Sequence, residues 1–142
     1  MAKITKSITI NAPIEKVFNY VSDSRNLPEI WPSLQEIRNF QRLRDGRITD
    51  SWTYKMAGIR LKGTTTTQYV ENVEVISRTK GGVKSIQIWT FKPVNDGTQV
   101  AVDIEYTIPI PVIGKLAEKI VVMMNEHEGD IVMANLKSRM EA

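Results

Sequence analysis

The residues MMNEHEGDIV, 123–132, hold the one histidine of the chain, His127, between Glu126 and Glu128, with Gly129 and Asp130 just beyond. An imidazole among carboxylates is the raw material of a metal centre or of an acid–base pair. Zinc requires three or four ligands converging on one point. On a helix only positions three or four apart share a face. Glu126 and Glu128 therefore diverge from His127, and Asp130 alone lies near its side. The sequence has no second histidine and no HExxH pattern. The expectation is no metal, with the acidic residues turned to water.

His127 has three readings. It is a histidine at the edge of the core, hydrogen-bonded to a strand; or the polar contact that orients a small molecule in an apolar pocket; or a proton-transfer group. The aromatics are the other candidates. Trp52 and Tyr54 share a strand face with Met56, and Tyr106 lies on the apolar face of the last strand. Core packing is the commoner use of such residues, yet an aromatic body with a polar tip also suits a mixed ligand. Trp89 and Phe91 share one strand face while Ile86 and Ile88 hold the other, so the inward face of residues 84–91 stays open.

The elements that position these residues follow from periodicity. KITKSITI alternates, with Ile4, Ile8 and Ile10 on one face, which is the period of a half-buried strand. NAPIEKVFNYVSD switches to helical spacing at Ile14, Val17, Phe18 and Val21, with Pro13 at its entry and Glu15 in the first turn. NLPEIWPSL has two prolines and room only for a short helix or turn. From about Leu34 to Ile108 strands alternate with turn signals: Asp45-Gly46, Ala57-Gly58, Glu71-Asn72, Gly81-Gly82 and NDG at 95–97. Short turns pair strands with their neighbours, giving one antiparallel sheet of about seven strands.

A helix is expected from about Val112 to Met140. At about 100° per residue, Ile113, Leu116, Ala117, Ile120, Met124, His127, Ile131, Ala134 and Asn135 share its apolar face. Val122, Met133, Leu136 and Met140 form a second, weaker strip, read as packing on the short helices or as a docking surface. Gly129 is a tolerated glycine or a flex point. The sheet must cover its apolar face, and this helix is the only element long enough to do so. The expected fold is α+β: a curved antiparallel sheet wrapped around the long C-terminal helix, with two short helices after the first strand.

Composition sets the bounds. The 142 residues, 42% hydrophobic and 25% charged, suit a single domain over 1–142, large enough to bury a core and still leave a cavity within it. The absence of cysteine removes disulfides, thiolate metal sites and cysteine nucleophiles. The N-terminus lacks an apolar signal core, and no apolar run reaches the length of about 20 residues that spans a bilayer. A cytoplasmic location is expected. Arg42, Arg44 and Arg47 cluster about one turn, without the broad basic stripe and stacking aromatics of a nucleic-acid surface.

The order of elements, with ITINAPIEKVFNYVSDSRNLPEIWPSLQEI, resembles the START-like helix-grip (SRPBCC) superfamily, in its polyketide cyclase/dehydrase and lipid-transport branch. Ala12-Pro13, the helix end near Asp23, Trp31-Pro32, GTQVAVDIEYTIP and ANLKSRME carry the likeness, which spans the whole chain. It implies an elongated apolar cavity between sheet and helix. Members bind lipids, sterols, quinones, polyketides or plant hormones, and a minority catalyse cyclisation or dehydration, with no universal catalytic residue to transfer.

The expectation is thus a domain that binds or carries a hydrophobic small molecule. Its cavity would be lined by Trp31, Trp52, Tyr54, Met56, Trp89, Tyr106, Ile120, Met124, His127 and Ile131. The alternatives are a cyclase or dehydratase using His127 with Tyr54 or Tyr106, and a surface interaction module with a filled core. No cofactor and no nucleic acid are expected. A monomer or weak homodimer is anticipated, with transient membrane contact left open.

Overall fold

A computed structural model describes residues 2–56, 58–107 and 115–142, with the helical backbone alone over 115–121. Strand β1 (Ala2–Ile10) leads into helix α1 (Ile14–Ser22) and a 3-10 segment (Ser24–Glu29). Six strands follow: β2 (Leu34–Arg42), β3 (Ile48–Met56), β4 (Ile59–Val70), β5 (Glu74–Gly81), β6 (Lys84–Val94) and β7 (Gly97–Thr107). Helix α2 (Lys115–Met140) comes last. The strands form one antiparallel sheet in the order β1-β7-β6-β5-β4-β3-β2, so only β1 pairs out of sequence.

The turn signals act as their chemistry requires. Asp45-Gly46 closes the β2–β3 hairpin through a three-residue loop rather than the two-residue turn that Asp-Gly most often makes. The Gly46 amide donates to the Leu43 carbonyl at 3.0 Å, and Leu43 donates to Arg47 at 2.7 Å. Gly46, at φ 90°, takes the left-handed position that ends such a loop. Ala57 lies outside the described residues. Edge strand β2 shifts register twice, between Leu34 and Glu36 and between Arg38 and Gln41, which spoils it as a template for further pairing.

Helix α1 starts where Pro13 (φ −64°) sets the entry, and it buries Val17, Phe18 and Val21. Phe18 meets Phe91 of β6 edge-on, with ring centroids 5.4 Å apart. In the next segment the Asp23 carboxylate accepts from the Arg25 amide at 3.1 Å, satisfying an otherwise free N–H at the helix start. These two pieces close one end of the sheet.

Helix α2 has 26 residues, about 39 Å of helix at 1.5 Å per residue. Its C-terminal half packs Val132, Met133, Leu136 and Met140 into a core with β1, α1, β6 and β7. Polar ties fix the end: Asn135 Nδ2 donates to the Ile30 carbonyl (3.0 Å), and Lys16 Nζ donates to that of Met140 (2.7 Å). Higher up, Lys6 of β1 reaches Glu126 at 2.9 Å and Asp130 at 3.0 Å. Gly129 sits opposite Ile4 and Lys6, and an added Cβ would lie 3.3 Å from the Lys6 side chain and 3.4 Å from that of Ile4. Close approach of helix to strand is the packing reason for this glycine.

The orientation of α2 corrects the expected one. The face turned to the sheet carries Asn125, Glu128, Gly129, Val132, Met133, Leu136 and Met140. Met124, His127 and Ala134 are exposed, and Ile131 is half-buried. The helix is rotated by roughly 150°, about one and a half residue steps. The strip read as the weaker one is the true core contact. The stripe richest in apolar residues is not the inner one, because the inner face is polar where it borders the cavity. The side chains of Ile113, Leu116, Ala117 and Ile120, like the helix start near Val112, lie outside the described residues.

Candidate functional site: a cavity between sheet and helix

Strict alternation along β3 turns Ile48, Asp50, Trp52, Tyr54 and Met56 to the inner face of the sheet. Cross-strand register then builds rows. One runs Asp50–Thr65–Thr79–Ser85–Tyr106 across five strands, and the next runs Ile48–Thr67–Ser77–Gln87–Ile104. Small hydroxyl side chains in the middle of these rows cannot reach α2, so space remains between them. The result is a cavity of about 120 Å³, several times what one water molecule needs. Leu27, Trp31, Leu34, Ile37, Val83 and Ile104 supply apolar wall, and Asn125, Glu128 and Gly129 of α2 form its roof.

The hydroxyls bond along the rows. Thr79 and Ser85 are 2.7 Å apart, Thr67 and Ser77 are 2.9 Å apart, and Thr79 also donates to the Val83 carbonyl at 3.0 Å. Trp52 lies flat over Gly63, its partner on β4: a Cβ there would fall 2.3 Å from Trp52 Cζ2. Glycine at 63 is what lets the indole lie down against the sheet.

Two polar clusters border the cavity. In the first, the Glu128 carboxylate accepts from Trp31 Nε1 (2.8 Å), Tyr54 Oη (2.8 Å), the Ser33 amide (3.1 Å) and the Ser33 hydroxyl. Asn125 donates to Tyr106 Oη at 2.8 Å and accepts from Tyr54 Oη at 3.4 Å. Burial, reinforced by the Glu128 charge, holds the Tyr54 hydroxyl well above its ordinary pKa. Burial also raises that of Tyr106, against the Asn125 hydrogen bond. Both phenols stay protonated at neutral pH.

In the second cluster, Asp50 accepts from the Ser24 hydroxyl at 2.6 Å through Oδ2. Burial pushes the Asp50 carboxyl above the usual carboxylate range, and Ser24 offsets this in part. Asp50 Oδ1 and Trp52 Nε1 have no hydrogen-bond partner among the described residues.

Of the candidates read from the sequence, Trp31, Trp52, Tyr54 and Tyr106 meet around this cavity. Met56 and Trp89 point inward but are buried in packing rather than lining the space. Ser85, Gln87, Trp89 and Phe91 form the inner face of β6, leaving Ile86 exposed. Met124, His127 and Ile131 are absent from the lining. Ile120 falls where side chains are not described. Glu128 reverses its expected outward position, and Glu126 and Asp130 pair with Lys6 instead of standing free in water. Among the site residues that periodicity missed are Asp50, Asn125, Glu128 and the hydroxyl rows of β4 to β6. Asp50 did leave a signal, a charged residue in phase with Ile48, Trp52 and Tyr54.

A seven-stranded antiparallel sheet curved around a C-terminal helix, with a cavity between the two, defines a helix-grip protein. The chain belongs to the polyketide cyclase / dehydrase and lipid transport family, whose model matches residues 1–141. No curated protein sequence matches it. Among solved structures, the Thermus thermophilus protein TTHA0849 superposes with a TM-score of 0.85 at 18% identity, over 98% of this chain and 97% of that one. A START superfamily protein from Mycobacterium smegmatis gives 0.73 at 20% identity, over 96% and 97%. The Zhui aromatase/cyclase from a Streptomyces species gives 0.78 at 13% identity, over 99% and 93%. At these identities the likeness is one of fold. Among the described residues no helix is long and apolar enough to cross a membrane.

Proposed function

We propose that this chain acts as one unit that binds a small, mainly apolar molecule carrying polar substituents, in the cavity between the sheet and α2. The observation that carries the proposal is the composition of the lining. Apolar wall from Leu27, Leu34, Ile37 and Ile104 supplies the hydrophobic driving force, and a few hydroxyls and two tyrosines offer orientation. A filled core, the alternative of a purely surface-acting module, has less support, since the space sits between elements that could have closed on larger side chains.

Cyclase- or dehydratase-type catalysis through His127 loses its basis, because that imidazole stands on the outer surface. Tyr54 and Tyr106 border the cavity, but their raised pKa values suit them to donating hydrogen bonds rather than to abstracting protons. Binding or carriage is the reading these groups favour.

Native mass spectrometry of the protein purified from its own cells tests it. A co-purifying small molecule, released on acid denaturation, is the expected result. A protein free of added mass, and without chemical-shift changes at Tyr106 or Gln87 across fatty acids, sterols and aromatic ketones, would refute it.

A further inference from the structure

Asp50 and Trp52 occupy successive inward positions on β3, 4% and 5% exposed. Both border the cavity, and among the described residues their Oδ1 and Nε1 are the buried side-chain atoms left without a partner. Buried polar atoms are nearly always paired, so two orphans beside one space point to a group that enters it. Each is held in place from behind: Asp50 through Ser24, and Trp52 by lying against Gly63.

Resting on the binding role above, we propose that Asp50 and Trp52 form the polar end of the cavity and both donate hydrogen bonds to carbonyl oxygen on an otherwise apolar ligand. The indole N–H can only donate. Asp50 makes no ion pair among the described residues, and burial favours its neutral form. With Oδ2 accepting from Ser24, the proton of the neutral acid belongs on the unpartnered Oδ1. A carbonyl oxygen, with two lone pairs, accepts from both. An ammonium ligand would suit an ionised Asp50 but would meet Trp52 donor against donor. A plain hydrocarbon would leave both groups unpaired, and sites built from fixed polar groups reject such ligands.

The test uses three molecules on one bicyclic skeleton: 1-tetralone, tetralin and 1-aminotetralin, titrated calorimetrically into the full chain at mildly acid pH. The expected result is that 1-tetralone binds about tenfold more tightly than tetralin. Asp50→Leu should cut that preference to about threefold or less, the share left to Trp52, while Asp50→Asn, which keeps a donor in place of the acid proton, should retain most of it.

Should Asp50→Leu fail to fold, the wild-type protein still decides. The Trp52 indole proton, assigned through Trp52→Phe, should move downfield with 1-tetralone and not with tetralin. Equal affinity for tetralone and tetralin overturns the polar end while leaving the cavity's binding role intact. Tightest binding of 1-aminotetralin, lost in Asp50→Asn, overturns it in favour of an ionised Asp50. Failure of all three to bind overturns the polar end as drawn for a carbonyl ligand, while the cavity's binding role is decided by the native mass spectrometry above.

Discussion

Glu128→Gln replaces one oxygen by NH₂ at the point where α2 meets β3 and the Trp31–Ser33 segment. The carboxylate accepts four hydrogen bonds, two on each oxygen. A glutamine can keep its carbonyl toward Trp31 and Tyr54, but its amide then faces Ser33. The Ser33 hydroxyl can rotate to accept; the Ser33 amide cannot. One part-buried N–H is left opposed by a donor, at a cost of about 1–3 kcal/mol, and the remaining bonds lose their charge assistance. Relief from desolvating a carboxylate offsets part of this, so a net loss of about 2 kcal/mol is expected. In a domain of this size that corresponds to a fall in Tm of roughly 6 °C.

Urea titration followed by tryptophan emission measures the stability, and Trp31 emission reports the broken contact directly. His127→Ala, one position away on the exposed side, is the control and should stay within about 0.5 kcal/mol of wild type. If the two variants are equally stable, or the His127 variant is the weaker, the orientation assigned to α2 is wrong.

Further outcomes follow from the same contacts. Gly63→Ala drives a methyl group into Trp52 and the Lys80 carbonyl, both 2.3 Å away; a loss of about 1–3 kcal/mol is expected, with a shifted Trp52 emission. Leu136→Ala, at a fully buried position, should cost about 2–5 kcal/mol in urea titration, whereas Met124→Ala, 40% exposed, should cost little.

Asp50 supplies a pH dependence. Its folded-state pKa lies above the unfolded value, so the folded protein holds the extra proton. The stability this lends is fully present below the unfolded pKa and disappears as pH rises through the folded one. The stability of Asp50→Asn relative to wild type should therefore rise with pH across that window and then level off. A flat difference in urea midpoints over the acid range would contradict the assignment.

How much of the site was legible depends on which periodicity governed each part. Strand period two is rigid, so once β3 is known to alternate, Trp52 and Tyr54 must share a face, and the turn at Asp45-Gly46 anchors the count. Asp50 lay in the same phase, and only its charge argued against placing it indoors. Helix phase is softer. Met124, His127 and Ile131 form a plausible stripe, and Met133, Leu136 and Met140 form another roughly opposite. A count of apolar residues prefers the first.

What the amino-acid sequence determined by itself was therefore the set of elements, their order and the inner faces of β1, β3 and β7, because alternation, turn chemistry and helical spacing act over a few neighbouring residues. The tertiary structure alone decided which side of α2 meets the sheet. Four donors from Trp31, Ser33 and Tyr54, distant in the chain, converge on Glu128, and Gly129 allows close approach to Ile4 and Lys6. Those contacts turn a carboxylate inward and the histidine outward. No local pattern encodes that choice, because its energy comes from groups that meet only after folding.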